Sequence, residues 1–520
     1  MIMKPFIICL FSLFSFSAFC QNVKQATVMV DAGNRTGEIA DLQYGQFIEH
    51  LGRAINEGIY EEKSKLADKD GFRKDVLEKV KELRTPLLRY PGGTFVKIYH
   101  WEDGIGPKGL RKKRKNLIWG GVEDNHFGTA EFITYCKKIG AAPFLVVNMS
   151  TGSAEEAANW VEYCNGTGDT YYANLRRSHG YAEPFNVKYW GIGNEEYAET
   201  DAGMHQDVNK YIKDGWQFVK LMKLQYPTLQ FVMVGNSDDS KWTAKVLEQM
   251  GPVCDFLAIH LYAIPKDTTF NALIQSIDQF EKPLTEMEGL LAKIPAKVDQ
   301  FNSWYRFPPR QEPIKLAIDE WGIWDLKSNK GKGVYQMEYQ YNWSHALGVA
   351  SFLNLFQRHS ASVGLATWAQ TVNILAPIMT NASGSYRQTV FTPLKAFRDY
   401  AGKYTLAAET VSPETVGGIK ALDVSASVNE KGNQMIFTIV NRDAANPVNL
   451  NISVKHIPAA FKNAAVKQIS YTGKSLYAEN SMNHETAVNK TETVGKYHLN
   501  QLEVVTAPAS LTIVILEAGK

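Results

Sequence analysis

Cysteine pairs, long apolar runs and an excess of one charge are all scarce in this sequence of 520 residues. Its 56 basic and 54 acidic residues give a formal net charge of +2, so composition indicates no nucleic-acid or acidic partner. Beyond the N-terminal segment, no stretch is long and apolar enough to predict a membrane span. The G-x-G-x-x-G pattern is absent after the first predicted strand, which argues against a dinucleotide fold.

The cysteines exclude two common structural devices. Of the five in the chain, Cys9 and Cys20 lie in the N-terminal segment, leaving Cys136, Cys164 and Cys254. This odd number, without a C-x-x-C pattern, predicts neither a disulfide framework nor a zinc site. We therefore expect three buried, unreactive thiols and no metal.

Residues 1–20 have the pattern of an export signal. Lys4 supplies a positive charge, and the apolar run Phe6–Phe16 is too short for a comfortable membrane span. Ala18-Phe19-Cys20 resembles a small-x-small cleavage site, which predicts cleavage after Cys20 and a secreted or periplasmic protein. The alternative is a lipoprotein signal acylated at Cys20, which the bulky Phe19 disfavours.

Eight short apolar runs, separated by polar or helical sequence, predict a (β/α)₈ TIM barrel over residues 41–397. The runs are Tyr44–Ile48, Leu87–Tyr90, Pro143–Val147, Val187–Ile192, Gln230–Val234, Phe256–Ile259, Ile314–Ile318 and Val363–Thr367. Amphipathic helical patterns lie between several of them, at Phe72–Leu83, Ala130–Ile139, Gln206–Leu224 and Glu338–Arg358. An open, doubly wound sheet is the alternative architecture.

After residue 398 the helical patterns stop, and short alternating runs predict a C-terminal antiparallel β-sandwich of the jelly-roll kind over residues 398–520. Residues 21–40 contain another alternating run, Ala26–Val30, that has no place in a barrel. We therefore expect this N-terminal strand to join the sandwich.

Polar side chains follow every predicted barrel strand. They are Glu49 and His50, Arg89, Asn148, Asn194 and Glu195, Asn236, His260 and Tyr262, Asp319 and Glu320, and finally Gln370 and Asn373. In a (β/α)₈ barrel these positions gather on one face, where barrel enzymes place their active sites.

Glu195 and Glu320 are the candidate catalytic pair. They end predicted strands four and seven, across the barrel mouth from each other. Two carboxyl groups across a cleft, one protonated and one ionised, are what glycoside hydrolysis requires. The alternative interpretation is that both are solvated strand-end acids.

An ordered set of motifs resembles glycoside hydrolase family 51, the α-L-arabinofuranosidases. The matching stretches are residues 44–53 (YGQFIEHLGR), 89–93 (RYPGG), 100–104 (HWEDG), 127–129 (FGT), 183–195 (EPFNVKYWGIGNE), 260–262 (HLY), 319–321 (DEW) and 369–373 (AQTVN). Gly-Asn-Glu alone is common among barrel glycosidases, so the ordered set carries the resemblance. It covers residues 44 to 400.

The resemblance implies a role for each matching residue. Glu195 matches the acid/base and Glu320 the nucleophile of a retaining mechanism. Asn194 matches an amide that holds the sugar 2-hydroxyl. The other expected binding residues are Glu49 and Gln370 on the furanose hydroxyls, Arg89 and Tyr262 beside the nucleophile, His260, and the cleft aromatics Trp119 and Trp324. Several of these residues also have a purely structural interpretation. His260 can be a strand-end histidine, and the two tryptophans can be core aromatics. Arg89 can cap a turn, and Glu49 can form a structural ion pair with Arg53 or Arg89.

Together, the predicted export signal and the resemblance imply a secreted, retaining, exo-acting α-L-arabinofuranosidase that removes arabinose side groups from plant polysaccharides or oligosaccharides. It is expected to need no metal or organic cofactor, since two carboxylates suffice. Arg89 is expected to keep Glu320 ionised, and a drier environment is expected to raise the pKa of Glu195. A β-xylosidase or endo-glucanase with the same machinery is the alternative. A non-catalytic carbohydrate-binding protein is a rival from another class. The number of subunits, including a homo-oligomer, stays open.

The chain departs from the family in three places. Thr94 follows Pro-Gly-Gly where the family commonly has Asn or Cys, residues 196–200 lack the usual Trp- or Gly-rich continuation, and residues 106–125 are divergent and strongly basic. We expect these segments to shape the leaving-group side of the cleft and the polysaccharide preference.

Overall fold

The computed structural model describes residues 23–199, 202–298, 307–327, 331–497 and 501–519. The predicted export signal and its cleavage site after Cys20 lie outside the described residues.

Eight parallel strands close into a barrel in the order in which they occur along the chain. They are β2 (Gly45–Phe47), β3 (Leu87–Tyr90), β6 (Ala142–Val147), β7 (Tyr189–Ile192), β8 (Gln230–Val234), β9 (Phe256–Ala263), β10 (Lys315–Ile323) and β11 (Val363–Trp368). Each predicted apolar run contributes one strand. The predicted barrel is therefore confirmed, and the open doubly wound sheet is wrong.

Ten α-helices and two short hairpins complete the part of the barrel domain that the structure describes. The helices are α1 (Lys74–Glu82), α2 (Thr129–Ile139), α3 (Ala154–Asn165), α4 (Tyr171–Ser178), α5 (Val208–Gln225), α6 (Ser240–Met250), α7 (Phe270–Asp278), α8 (Glu281–Leu291), α9 (Trp343–Arg358) and α10 (Phe391–Tyr400). The hairpins pair β4 (Arg114–Lys115) with β5 (Val122–Glu123), and β12 (Ile378–Asn381) with β13 (Gly384–Arg387). Helix α9 begins at Trp343 rather than at the predicted Glu338, because the Asn342 side chain accepts hydrogen bonds from the amides of Ser344 and His345.

The barrel interior changes from apolar to polar along the strands. Alternate residues such as Leu87, Phe144 and Val232 form a separate apolar cluster inside the barrel. Nearer the C-terminal strand ends, the Arg89 guanidinium lies 4.7 Å from the centre of the Phe47 ring. The apolar cluster therefore fills the barrel interior below the polar side chains, which lie at the C-terminal ends of the strands.

A nine-stranded sheet forms the C-terminal domain. Its strands are β1 (Lys24–Glu38), β14 (Tyr404–Val411), β15 (Leu422–Val428), β16 (Gln434–Asn441), β17 (Val448–Lys455), β18 (Ala465–Gly473), β19 (Val488–Lys496), β20 (Gln501–Thr506) and β21 (Ser510–Glu517). Their order is β19-β18-β21-β16-β15-β14-β1-β17-β20. Among these strands the pairings are antiparallel except that of β1 with β17, which is parallel.

The sheet curls around its own core, as a sandwich does. Val466 near one end of the strand order and Val504 at the other belong to the same buried cluster, together with Val28 of β1. Strand β1 lies between β14 and β17, so residues 24–38 are part of this domain. Strand β19 is exposed along almost its whole length and lacks an apolar face that alternation could show.

Helix α9 lies between the two domains and is buried on nearly all sides. Trp343 Nε1 donates to the Ala509 carbonyl at 2.7 Å, and Arg358 Nη1 lies 2.6 Å from Asp423 Oδ1. Strand β16 serves both cores, since Phe437 faces the sandwich core and Ile436 packs in the cluster shared with the barrel. The two domains therefore share a packed interface.

A charged cluster on this side of the barrel predicts a pH-dependent stability. Burial alone would lower the pKa of His359, but hydrogen bonds to Glu281 and Glu288 outweigh it and raise the pKa to about 9. A histidine with a raised pKa stabilises fully below its unfolded pKa, and the contribution is lost as the pH rises through 9. We expect His359→Gln to lower the unfolding free energy by about 1–2 kcal/mol at pH 6. Denaturant titrations at pH 6 and pH 10 should give a wild-type advantage that shrinks at the higher pH, and an equal loss at both would contradict the assignment.

The three remaining cysteines are free and buried, as predicted. Burial raises the pKa of all three thiols, which keeps them protonated and unreactive. Among the described residues, no group of three or more His, Cys, Asp or Glu side chains could hold a metal ion. In the same part of the chain, no helix is long and apolar enough to cross a bilayer.

Candidate active site

Arg89 is the centre of the polar cluster at the barrel mouth. Its Nη1 donates to Glu320 Oε1 at 2.8 Å, and its Nη2 donates to Asn194 Oδ1 at 2.6 Å. Its Nε lies 3.3 Å from Asp319 Oδ2. The guanidinium is almost fully buried, so these partners compensate a charge that would otherwise be costly in the interior. One arginine thus joins the ends of strands β3, β7 and β10.

An irregularity in β10 brings two consecutive acids to this arginine. Neighbouring residues of a regular strand point to opposite faces. The register between β10 and β9 shifts between Ala317 and Glu320, and the register with β11 shifts between Ile318 and Trp321. Such bulges redirect side chains and are common beside active sites. Both Asp319 and Glu320 therefore reach Arg89.

Two side chains from β9 complete the surroundings of Glu320. Tyr262 Oη donates to Glu320 Oε2 at 2.8 Å, and burial together with this carboxylate raises the pKa of Tyr262 well above its usual range. His260 Nδ1 lies 2.8 Å from Glu195 Oε1, and its Nε2 lies 3.3 Å from Asp319 Oδ1. Burial would lower the pKa of His260, but Glu320 and Glu195 raise it well above its usual value.

Glu195 and Glu320 lie close together, both against the same ring nitrogen of His260. His260 Nδ1 is 2.8 Å from Glu195 Oε1 and 3.7 Å from Glu320 Oε2, so the sum of these distances is the upper limit for the separation of the two oxygens. That limit lies at the lower edge of the range of about 6.5–9.5 Å typical of inverting glycosidases. The predicted drier environment of Glu195 is wrong, since 26% of its side chain is exposed against 8% for Glu320.

Glu49 lies on the other side of the cluster, after β2. Its Oε1 accepts hydrogen bonds from the Phe95 amide at 2.8 Å and from Trp119 Nε1 at 2.9 Å, and its Oε2 accepts one from Gln370 Nε2 at 3.0 Å. Burial, reinforced by the nearby Glu320, raises the pKa of Glu49 to about 7. It does not pair with Arg53, which binds Glu338 instead.

Four buried polar atoms in this cluster have no hydrogen-bond partner among the described residues. Arg89 Nε and Asp319 Oδ1 each lie 3.3 Å from an oppositely charged group, which leaves two atoms without such a contact. They are Asn194 Nδ2, a donor, and Gln370 Oε1, an acceptor. Leaving such groups unpaired costs free energy unless a ligand satisfies them. The hydroxyl groups of a sugar can accept from the first and donate to the second.

The two predicted cleft tryptophans are partly exposed and lie against the site. Trp119 donates to Glu49 and packs edge-on against Tyr335, with ring centres 5.8 Å apart. Trp324 lies edge-on to Tyr262 with ring centres 6.5 Å apart. Both side chains are partly buried against the main core cluster and lie beside residues at the barrel mouth.

Other polar strand ends have structural partners. Asn148 Oδ1 accepts from the amides of Ser150 and Thr151, and Asn236 Oδ1 accepts from the Asp238 amide. Asn373 Nδ2 donates to the Arg53 carbonyl, and His50 Nδ1 lies 3.2 Å from Glu123 Oε2 behind the site. The structure therefore gathers eleven of the predicted residues, Asp319 included, into one site and leaves these four as local supports.

Comparisons with known proteins identify the family of the chain. The family models described as "Alpha-L-arabinofuranosidase 1 domain" and "Alpha-L-arabinofuranosidase C-terminal domain" match residues 79–282 and 319–510. "Probable alpha-L-arabinofuranosidase C" from Aspergillus fumigatus is 37% identical over 494 residues, which cover 90% of this chain and 93% of that protein. The solved structure of the thermostable GH51 α-L-arabinofuranosidase from Thermotoga petrophila superposes with a TM-score of 0.84 at 34% identity, covering 95% of this chain and 100% of that one. The chain belongs to the family 51 α-L-arabinofuranosidases.

Family membership makes the chain a glycoside hydrolase that acts on arabinofuranosides. A further relative, named "Intracellular exo-alpha-(1->5)-L-arabinofuranosidase", from Halalkalibacterium halodurans, is 35% identical over 448 residues, covering 83% of this chain and 87% of that protein. The solved arabinose complex of the Thermotoga maritima enzyme has the same TM-score of 0.84 and 34% identity, covering 95% of this chain and 100% of that one.

One feature of this arabinofuranosidase that the sequence analysis left unexplained is the second glycine of Pro-Gly-Gly. A Cβ at Gly93 would lie 2.6 Å from Glu320 Oε1 and 3.4 Å from Glu49 Oε2. Any side chain there would displace the first carboxylate. Gly93 therefore leaves room for the side chains of Glu320 and Glu49, which are far apart in the sequence.

The backbone around Glu195 is also specialised. Gly193 has φ +81°, where a Cβ would meet the Glu196 side chain at 2.7 Å, and Glu195 itself has φ 42°, in the left-handed region. The buried Lys97 donates from Nζ to the Glu195 carbonyl at 3.2 Å. This turn directs the Glu195 side chain into the barrel mouth. The sequence alone does not indicate that Lys97 contacts the Glu195 carbonyl.

Glu196 points into the protein rather than into the cleft. It is fully buried, and its Oε2 lies 2.7 Å from His205 Nδ1, while His205 Nε2 lies 3.1 Å from Asp214 Oδ2. The His205 amide donates to the Glu196 carbonyl at 2.9 Å. Glu196 therefore supports the turn from behind, and any influence of this residue on the leaving-group side of the cleft acts through the position of Glu195.

Proposed function

We propose that this protein is a retaining, exo-acting α-L-arabinofuranosidase that removes terminal arabinofuranosyl groups from plant polysaccharides or oligosaccharides. The observation that carries the proposal is the placement of Glu195 and Glu320 on the same His260 nitrogen. A retaining glycosidase has its two carboxyl groups about 5–5.5 Å apart, and the limit derived above admits that spacing.

Glu320 is the proposed nucleophile. Arg89 Nη1 and Tyr262 Oη each donate to one of its oxygens, which orients the carboxylate and favours its charged form. In the first step a Glu320 oxygen bonds to the anomeric carbon while the bond to the leaving oxygen breaks. The product is a covalent glycosyl-enzyme.

Glu195 is the proposed acid/base. In the first step it gives its proton to the leaving oxygen, and in the second it takes a proton from the water that attacks the anomeric carbon. Its greater exposure suits this role, because the leaving sugar and then water must reach it. His260 holds one Glu195 oxygen at 2.8 Å, which orients the carboxyl group.

Glu49, Gln370 and Asn194 are proposed to bind the furanose hydroxyls, and Trp119 and Trp324 to flank the sugar. The unpartnered Asn194 Nδ2 and Gln370 Oε1 support this assignment, since a sugar would satisfy both. All three polar residues are buried, which suits a pocket that encloses one terminal sugar and hence exo action. The name of the Halalkalibacterium halodurans relative also describes an exo enzyme.

Product analysis by proton NMR on arabinan and arabinoxylan tests the proposal. We expect free arabinose whose first-formed anomer has the configuration of the substrate, with no internal chain cleavage. An inverted first anomer would contradict the retaining mechanism. Turnover of an aryl β-xyloside far above that of the aryl α-L-arabinofuranoside would favour the β-xylosidase alternative, and shortened glucan chains would favour an endo-glucanase.

Glu196→Ala should slow the enzyme selectively. Glu196 Oε1 accepts from the Asn194 amide at 3.4 Å, and its Oε2 lies 2.7 Å from His205 Nδ1. Its loss should therefore misplace Glu195 and lower kcat on arabinan oligosaccharides about 10- to 100-fold. A substrate with a dinitrophenyl leaving group needs no proton from Glu195, so its kcat should fall by no more than about threefold. Steady-state kinetics on both substrates measure the difference.

Glu196→Gln is the matched control, because an amide can still accept the His205 hydrogen bond. We expect it to keep kcat on both substrates within about threefold of wild type. Equal losses on the two substrates in Glu196→Ala would indicate general structural damage instead of a positioning role.

Export is proposed from the N-terminal segment alone, with cleavage after Cys20. Edman sequencing of the protein recovered from the medium or periplasm of an expressing bacterium should begin at Gln21. Lipid attached to Cys20 would favour the lipoprotein alternative.

A further inference from the structure

The basic segment that the sequence analysis singled out forms a hairpin over the barrel mouth. Strands β4 and β5 pair Arg114 with Glu123 and Lys115 with Val122. Asn116 Nδ2 donates to the His50 carbonyl at 3.0 Å. Trp119, in the same hairpin, donates to Glu49. The hairpin is therefore fixed directly beside the sugar-binding side chains.

Four of its basic residues are held by acids. Lys108 Nζ lies 2.7 Å from Glu62 and Arg111 Nη2 lies 2.9 Å from Glu131. Lys112 and Arg114 share the two oxygens of the buried Asp103, at 2.9 and 2.7 Å. These pairs fasten the hairpin and neutralise much of its charge.

The remaining positive charge is concentrated in and next to strand β4 of the hairpin. Lys113 and Lys115 are exposed and have no acidic partner within the described residues. Arg114 uses its Nε for Asp103, and no partner is found in that part of the chain for its two Nη nitrogens. Three adjacent side chains thus keep donors for an anion.

A cavity of about 190 Å³ is lined by Arg114 and Lys115, and Lys113 is their neighbour in the chain outside this lining. Phe95, Ile98 and Leu117 supply apolar surface, while Arg114 and Lys115 supply charge. Two acids also line it, but Asp103 is paired as above and Glu123 Oε2 lies 3.2 Å from His50 Nδ1. Apolar surface beside charge suits a sugar ring that carries an anionic group.

Contacts place this cavity on the Glu195 side of the site. Thr151 lines the cavity and donates from Oγ1 to the Lys97 carbonyl at 2.8 Å. Lys97 in turn donates to the Glu195 carbonyl. Phe95, which also lines the cavity, donates its amide to Glu49. The acid/base protonates the leaving oxygen, so the chain that loses its arabinose leaves on this side.

We propose that the hairpin and this cavity bind a carboxylated sugar, a uronate, of the polysaccharide chain that bears the arabinofuranosyl group. The carboxylate lies against Arg114 and Lys115, with Lys113 beside it, and the ring packs on Phe95 and Leu117. Guanidinium and ammonium groups bind carboxylates through charge-assisted hydrogen bonds. This inference rests on the proposed function and extends it to the substrate class.

The test compares one arabinosylated, uronate-bearing pectic polysaccharide with the same material after chemical reduction of its carboxyl groups. At low ionic strength we expect wild-type kcat/KM to be about tenfold higher on the acidic form. In 0.5 M sodium chloride the two forms should converge, because salt screens exposed charges. In Lys113→Ala/Lys115→Ala the preference should be lost at low salt as well.

Two controls separate the possible failures. Lys431→Ala/Lys462→Ala removes the same charge from exposed positions of the sandwich and should keep the preference. The aryl α-L-arabinofuranoside should be hydrolysed equally by all three proteins. Equal wild-type rates on the acidic and reduced polysaccharides, or a preference that survives in the hairpin variant, would overturn the uronate site. Absence of any wild-type turnover of the aryl arabinofuranoside would instead overturn the proposed function.

Discussion

Glu320→Gln should reduce kcat by about 10⁴-fold or more on every arabinofuranoside, regardless of leaving group. The amide has nearly the shape of the carboxylate but cannot form the glycosyl-enzyme. Arg89 would also lose its closest charged partner, at 2.8 Å. Stopped assays with an aryl α-L-arabinofuranoside and with arabinan oligosaccharides measure the loss.

Glu82→Gln is a suitable control, since Glu82 pairs with Arg387 outside the site and should keep activity within about twofold. Circular dichroism should show that Glu320→Gln is folded. Activity of Glu320→Gln within tenfold of wild type would contradict its role as nucleophile.

Glu195→Ala should produce the second large effect, which depends on the leaving group. On arabinan oligosaccharides we expect kcat/KM to fall by about 10³-fold, because the departing sugar oxygen needs a proton. On a dinitrophenyl arabinofuranoside the first step should survive and the glycosyl-enzyme should accumulate, giving a burst of dinitrophenol. Rapid-mixing absorbance measurements would detect the burst.

Azide provides the internal control for this variant. It attacks without needing a general base, so it should restore turnover and give an arabinofuranosyl azide with the configuration of the substrate. The same addition should not restore Glu320→Gln. Failure of azide to accelerate Glu195→Ala on the activated substrate would argue against the acid/base role.

The sequence predicts the strands well where burial leaves a pattern. Barrel strands are buried on both faces and appear as short apolar runs, such as Leu87–Tyr90, which is a strand over those same residues. Strand β19 leaves no pattern because it is an exposed edge stabilised by pairing with β18. The N-terminal limit of α9 depends on a capping side chain, which the helical periodicity alone does not reveal.

The candidate pair was predictable because topology places the ends of strands four and seven around one mouth. Contacts between distant segments were not. Lys97 contacts the carbonyl of Glu195, and Gly93 lies against both Glu320 and Glu49. Both contacts depend on the paths of loops, which local sequence patterns do not predict. The relative exposure of Glu195 and Glu320 was predicted wrongly, since exposure depends on which loops cover each strand end.

The position of β1 between β14 and β17 also affects how the protein can be made and divided. Its hydrogen-bonding partners are synthesised hundreds of residues later, so the sandwich cannot close until nearly the whole chain has been translated. A fragment that starts after the barrel would expose the edges of β14 and β17, which invites aggregation. A separately expressed sandwich therefore needs residues 24–38 joined to it through a linker, whereas a barrel expressed without the sandwich would leave helix α9 uncovered.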